Sequence, residues 1–245
     1  MAVEKVFLTT EWTHLAMLNF VVEPKILLPH VPAGTKLDTF EGLTFVSMVG
    51  FQYQRTRVLG LPVPFHRNFV EVNLRFYVRR LADEGWRRGV VFLKEIVALP
   101  AVAWVARRFY DENFCVHPMR YAIDTSDGNP SAVCGACYEW KFQGQWQQLD
   151  VQSVGQPHDT TPGSEANFIV EHYWGYTRRR DGSTSEYRVE HPPWRVWTVS
   201  ASQFQCDVAR LYGPEFAQPL SVAPHSALLA EGSKVVVRSG RKLVV

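Results

Sequence analysis

Nine residues, Val70 to Val78, constrain this chain most. Val70, Val72, Leu74, Phe76 and Val78 alternate strictly with Glu71, Asn73, Arg75 and Tyr77. A period of two marks a β-strand, so the apolar five share one face and the polar four the other. The polar face meets either water or the wet interior of a curved sheet. Periodicity alone favours water, because antiparallel sheets are commonly solvated on one side.

The following run behaves differently. In the segment Val91–Val97, alternation places Glu95 with Val91, Leu93 and Val97, and Lys94 with Phe92, Ile96 and Ala98. Both faces are apolar apart from one charge each, the pattern of a strand buried on both sides. A buried carboxylate must be paired or change its pKa, and such groups concentrate at functional sites. Glu95 is therefore the first candidate for chemistry. The competing reading is architectural: each charge reaches water near a strand end or pairs with an arginine.

Turn signals recur along the whole chain, at Gly34, Gly42, Gly60-Leu61-Pro62, Asp127-Gly128-Asn129-Pro130, Gln143-Gly144, Asp181-Gly182 and Glu231-Gly232-Ser233. Short β-branched and aromatic runs lie between them, as in an antiparallel sheet or barrel. Helix is the minority. Pro24 opens one short helix that Pro29 stops, and Pro100 opens another over Ala101–Tyr110. A third follows Ser202 as N-cap, with Phe204, Val208 and Leu211 on one face and Gly213 as its stop. No repeat or linker divides the 245 residues, which read as a single domain spanning 1–245. A chain of this size buries a core without needing a disulfide or a metal.

Several function classes find no support. The net charge is +2, and Arg178-Arg179-Arg180 reads as a solvated hairpin tip with no nucleic-acid motif around it. The longest apolar run, Ile96–Ala106, contains Pro100 and falls short of the ~20 residues of a membrane-spanning helix. No secretory leader pattern is visible, and four cysteines in a chain this long fit a reducing, cytoplasmic compartment. Phosphate-binding, dinucleotide and serine-hydrolase signatures are missing from the sequence. Cys134 and Cys137 form a C-x-x-C pair without the βαβ context of a redox motif. Cys115 and His117 could complete a zinc set, but no spacing rule brings the two pairs together, so neither metal nor cofactor is expected. His66 reads as a loop histidine, His172 as a satisfied core histidine beside Phe168, Val170 and Trp174, and His191 as part of a rigid turn before Pro192-Pro193-Trp194.

Taken together, several stretches resemble a known family. Trp12-Thr13-His14-Leu15, Val31-Pro32-Ala33-Gly34, Leu37-Asp38, Phe40-Glu41-Gly42, the strand Phe69–Val78, Glu171-His172-Tyr173 and Glu190-His191-Pro192-Pro193-Trp194 are similar to the YqjF-like domain of unknown function. They are spread over most of the chain in the expected order. That family is related to acetoacetate decarboxylase, which implies a cone-like antiparallel β-barrel with its site inside and a few short peripheral helices. The resemblance therefore turns the polar face of Glu71, Asn73, Arg75 and Tyr77 into a cavity, against the preference for solvent. The decarboxylase's catalytic stretch runs Arg-Glu, four residues, then Pro-Lys-Lys. Its counterpart here is Lys94-Glu95-Ile96-Val97-Ala98-Leu99-Pro100-Ala101-Val102, in which Ala101 and Val102 stand in place of both lysines.

Two functions remain open. The first is a non-catalytic binder of a small carbonyl or carboxylate molecule, with Arg75, Asn73, Glu71, Tyr77 and Lys94 as ligand-binding residues. The second is an enzyme of lyase or hydrolase type, with Glu95 as acid or base and Arg75 anchoring a carboxylate or enolate. The partner in either case is a small molecule, with no nucleic acid or membrane, and a homo-oligomer is compatible with both. Schiff-base chemistry needs a lysine nucleophile whose pKa a second cation lowers, and alanine and valine supply neither. Borohydride reduction in the presence of acetoacetate should therefore leave the intact mass unchanged. An adduct mapped to Lys94 would show that this lysine faces the substrate.

Overall fold

The computed structural model describes residues 4–109, 111–125 and 133–243, the side chains of Phe109, Val133 and Cys134 excepted. The N-terminal part comprises β1 (Val6–Val22), α1 (Pro24–Leu27), β2 (Lys36–Leu37), β3 (Thr44–Val58), β4 (Leu61–Pro62), β5 (Phe69–Ala82) and β6 (Gly85–Val97). Then come α2 (Pro100–Phe109), β7 (Phe114–Val116), β8 (Met119–Thr125), β9 (Val133–Phe142), β10 (Gln145–His158) and α3 (Glu165–Val170). The C-terminal part holds β11 (Trp174–Arg178), β12 (Thr184–Glu190), β13 (Val196–Gln205), α4 (Val208–Leu211), α5 (Pro214–Ala217), β14 (Ser226–Arg238) and β15 (Arg241–Lys242). The fold is mostly β with a few short helices, and no described helix is long and apolar enough to cross a membrane.

All these strands belong to one sheet. The path β12-β11-β6-β5-β3-β1-β14 closes into a ring where Val189 and Glu190 of β12 pair with Val237 and Val236 of β14. From β14 the sheet continues through β13, β10 and β9 to β8 and folds back over the outside of the ring. The shared wall of β1, β3, β5 and β6 is thus covered on both faces. Leu18, Val46, Met48, Val72 and Leu74 pack outward against Tyr138, Trp140, Leu149 and Val151 of the covering layer. Leu15, Met17, Phe45, Val49, Phe51 and Tyr77 face the ring interior. Burial on both sides explains why these strands carry apolar residues at successive positions.

Pairing is antiparallel except along the outer edge of β6. There β11 pairs parallel at Gly89 and Val90, and β7 pairs parallel at Glu95 to Val97. Between them Asn113 spans the edge: its side chain donates to the Leu93 carbonyl at 2.8 Å, and its own carbonyl accepts from the Glu95 amide at 3.0 Å. Ring closure is reinforced by Glu186 of β12, which is fully buried. Its carboxylate accepts from Arg87 at 2.7 Å, Arg241 at 2.8 Å, Arg80 at 3.3 Å and the Tyr176 hydroxyl at 3.1 Å. One carboxylate thereby links β5, β6, β11, β12 and β15.

Of the three expected helices, α1 and α2 start at their prolines. The third does not follow Ser202, which pairs with Val151 inside β13. That helix, α4, begins at Val208 and is capped by Asp207, whose side chain accepts from the Arg210 amide at 3.3 Å. Strand pairing outweighed the weaker serine cap signal. The turn signal at Asp127–Pro130 lies outside the described residues, whereas Arg179 does close a hairpin turn, with its amide donating to Ser183 at 2.8 Å. Arg179 and Arg180 both lie against Asp111, at 3.7 and 3.3 Å.

Gly89 sits where β11 joins β6. A Cβ there would stand 2.6 Å from both the Trp174 carbonyl oxygen and the Tyr176 ring. Because one obstacle is backbone, Gly89→Ala should destabilise the protein by about 1–3 kcal/mol, as overpacking does. Urea unfolding checks this; an unchanged midpoint would mean the β6–β11 seam is looser than drawn.

Candidate functional site

The interior of the ring contains a cavity of about 210 Å³. Strand β5 supplies its polar wall, since residues 70, 72, 74, 76 and 78 are committed to the outer core. Glu71, Asn73 and Arg75 line the cavity, at 1%, 1% and 8% exposure. Tyr77 is also inward and buried but lies past the cavity's end, and its hydroxyl hydrogen-bonds the Ser47 hydroxyl. The polar face of the alternating strand therefore does not meet bulk water.

The neighbouring strand departs from simple alternation. Leu74 is level with Lys94 but Arg75 is level with Phe92, so Leu93 is an extra residue, a β-bulge. The bulge inverts the upstream faces. Glu95 shares the interior with Val90 and Phe92, while Val91 and Leu93 turn to the outer core. Lys94 turns outward as well. Its ammonium donates to the Leu211 carbonyl and lies 5.9 Å from the Tyr212 ring. Lys94 is thus outside the cavity, correcting its expected place among the ligand-binding residues: it neutralises the open C-terminal end of α4.

The structure adds residues that the sequence reading missed. Glu112, in the connection between α2 and β7, lines the cavity and accepts from the Tyr187 hydroxyl at 2.6 Å and from Thr177 at 3.5 Å. No periodicity marks a residue in such a connection. His172 was read as a satisfied core histidine. It is buried at 7% exposure and lines the cavity, but neither ring nitrogen makes a well-formed hydrogen bond. His191 also lines the cavity and stacks on Trp194 at 4.1 Å. Ala101, Val102, Val105 and Ala106 of α2 form an apolar wall opposite.

Three carboxyl groups now share one cavity. Burial pushes Glu71 up to about 8, a rise moderated by its bond from Asn73 at 2.8 Å and increased by Glu112. Burial likewise pushes Glu112 up to about 7. Glu95 lies well above the usual carboxylate range, because of burial first and then the charges of Glu112 and Glu71. Burial, with Arg88 and Arg75 nearby, holds the His172 imidazole neutral. Arg75 donates to the Ile169 carbonyl at 3.3 Å, and burial rather than an ion pair governs Glu95. Three polar atoms on this wall have no hydrogen-bond partner, Asn73 Oδ1, Arg75 Nε and Glu95 Oε2, while the Tyr53 hydroxyl lies within reach of the Glu71 carboxyl. Buried polar atoms are normally satisfied, so a cluster of exceptions points to a missing ligand or water.

Among the described residues, no group of three or more histidine, cysteine, aspartate or glutamate side chains could hold a metal ion. Cys115 and Cys137 are free thiols on β7 and β9; the Cys134 side chain lies outside the described residues.

A closed, mostly β ring with its polar groups directed inward defines the class, a fold of the acetoacetate decarboxylase type. The chain belongs to the DUF2071 family, described as an uncharacterized conserved protein, whose pattern matches residues 9–234. It is 26% identical over 191 residues to the uncharacterized protein YqjF of Bacillus subtilis, covering 78% of this chain and 75% of that one. In fold it is similar to the enduracididine biosynthesis enzyme MppR, with a TM-score of 0.70 at 12% identity over 97% of this chain and 89% of that one. It is also similar to acetoacetate decarboxylase of Legionella pneumophila, with a TM-score of 0.67 at 9% identity over 98% and 88% of the two chains.

The raised carboxyl pKa values set a pH dependence. A carboxyl unfolded near 4.5 and folded near 7 or 8 keeps its proton in the native state while the unfolded chain has lost it. Its contribution to stability is therefore full below about pH 4.5 and lost as pH rises through 7 to 8. Thermal melting should fall over that interval, and Glu71→Gln or Glu112→Gln should flatten the slope. A melting temperature rising from pH 5 to pH 8 would contradict the protonated trio.

Proposed function

We propose that the protein binds a small monocarboxylate or carbonyl compound inside the ring, with its oxygen atoms held by Arg75 and by the protonated carboxyls of Glu95 and Glu71. The observation that carries this reading is the cluster of unpartnered polar atoms on one cavity wall. Among the described cavity-lining residues Arg75 is the one permanent cation. The carboxyl groups, kept neutral by burial, are hydrogen-bond donors at neutral pH and present no charge to repel an anion. Asn73 adds an amide whose oxygen is free to accept from a ligand hydroxyl or enol.

Relatives of this fold lend support without fixing the ligand. MppR has been obtained in complex with pyruvate. This chain places Ala101 and Val102 on the cavity wall, where its resemblance to the decarboxylase family would put the two lysines. The reading is therefore one of binding without an imine.

A second reading rests on Glu95 alone. Its carboxyl is buried, lacks a partner at Oε2 and has a raised pKa, the properties of a general acid at neutral pH. Glu95→Gln separates the two: the glutamine amide still donates to a bound oxygen and largely keeps affinity if the protein only binds, whereas turnover is abolished if the carboxyl transfers a proton.

Calorimetry with 2-oxo acids from pyruvate to 2-oxohexanoate at pH 6 tests the binding reading. Arg75→Gln should weaken binding roughly 10- to 100-fold, the value of a charge-assisted hydrogen bond. Affinity of the native protein should fall between pH 6 and pH 9 as Glu112 and Glu71 ionise beside the bound anion. Binding that ignores both the substitution and the pH change would remove Arg75 and the carboxyl trio from the site.

A further inference from the structure

The cavity is polarised along its length. Phe69 and Arg75 of β5 lie six rises apart, about 20 Å along a strand. Burial follows the same axis. Arg75, Asn73 and Glu95 lie at the deep end, closed by Val170 of α3, while Leu8, Val58 and Val63 at the other end are partly exposed. Between the two ends Val102, Val105 and Ala106 of α2, with Phe69 and Phe92, supply apolar lining beside the carboxyls of Glu71 and Glu112. The cavity volume is about 210 Å³.

From this geometry we infer that the ligand is an amphipathic monocarboxylic acid whose oxygenated head reaches Arg75 and whose apolar tail runs past α2 toward Leu8 and Val58. The inference rests on the binding reading above and adds the tail. A fully hydrophilic acid of three carbons would occupy only the deep end and leave the apolar lining against poorly bonded water. A chain-like tail displaces that water and buries its methylenes against α2. The small residues on the inner face of α2 make the specificity: Ala101 and Ala106 leave the room that larger side chains would close.

Straight-chain carboxylates from propionate to decanoate, titrated at pH 6, test the inference. Affinity should climb about fourfold per added methylene and then level off or fall once the tail passes the mouth. Ala106→Trp should lower the chain length at which that maximum occurs, whereas Trp104→Ala, on the outward face of the same helix, should leave it in place. Affinity that is flat or falls with chain length, with Arg75→Gln still weakening it, overturns the tail and leaves the head-group reading standing. Failure of every carboxylate and every 2-oxo acid to bind overturns both.

Discussion

The structure depends on a wall of four strands buried on both of its faces. β1, β3, β5 and β6 must satisfy an outer core and a ring interior at once, so their sequences cannot spend alternate positions on water. Each side chain is assigned to one of two apolar compartments, and a shift by one residue would exchange the two sets. That is why Val46 and Met48 can meet Tyr138 while Phe45 and Val49 point the other way. It also explains why polar residues on β5 end in a cavity: neither face of the wall offers them bulk solvent.

The same double burial makes the site chemically unusual. Carboxyl groups placed in such an interior have two outcomes, depending on their neighbours. Glu186 meets three arginines and a tyrosine and is fully bonded, with its charge matched. Glu71, Glu95 and Glu112 meet one another and apolar walls, so burial and mutual repulsion favour the proton. The contrast separates an architectural carboxylate from functional candidates inside one fold. Glu186 holds strands together; the trio lines open space, and Glu95 keeps an oxygen without a partner.

Much of this was legible in the sequence, and the reasons for the rest are physical. Strict alternation at Val70–Val78 placed the β5 polar residues on one face, but only the family resemblance said that the face was internal. The doubly apolar run around Glu95 signalled burial on both sides. Its face assignment failed upstream because Leu93 is an extra residue, and a bulge leaves no mark in a run where every position is apolar. Lys94 was misplaced for a related reason: its partner is the carbonyl of Leu211, 117 residues away, at a helix end no local pattern announces. Glu112 and the orphaned nitrogens of His172 are products of tertiary placement alone.

The bulge at Leu93 also bears on how the cavity is built. Without it, continuous alternation would put Glu95 on the face of Val91 and Leu93 and leave Phe92 opposite. With it, Phe92 and Glu95 share the interior although three positions separate them. The extra residue lets β6 present an aromatic wall at the level of Arg75 and a carboxyl at the level of Asn73. Lys94, next to Glu95 in the strand, takes the opposite, outer face by alternation alone. Had the lysine shared the interior, its charge would have favoured ionised carboxylates, as neighbouring cations do. Among the described lining residues the cavity thus holds one permanent cation, Arg75, beside carboxyls that burial keeps protonated.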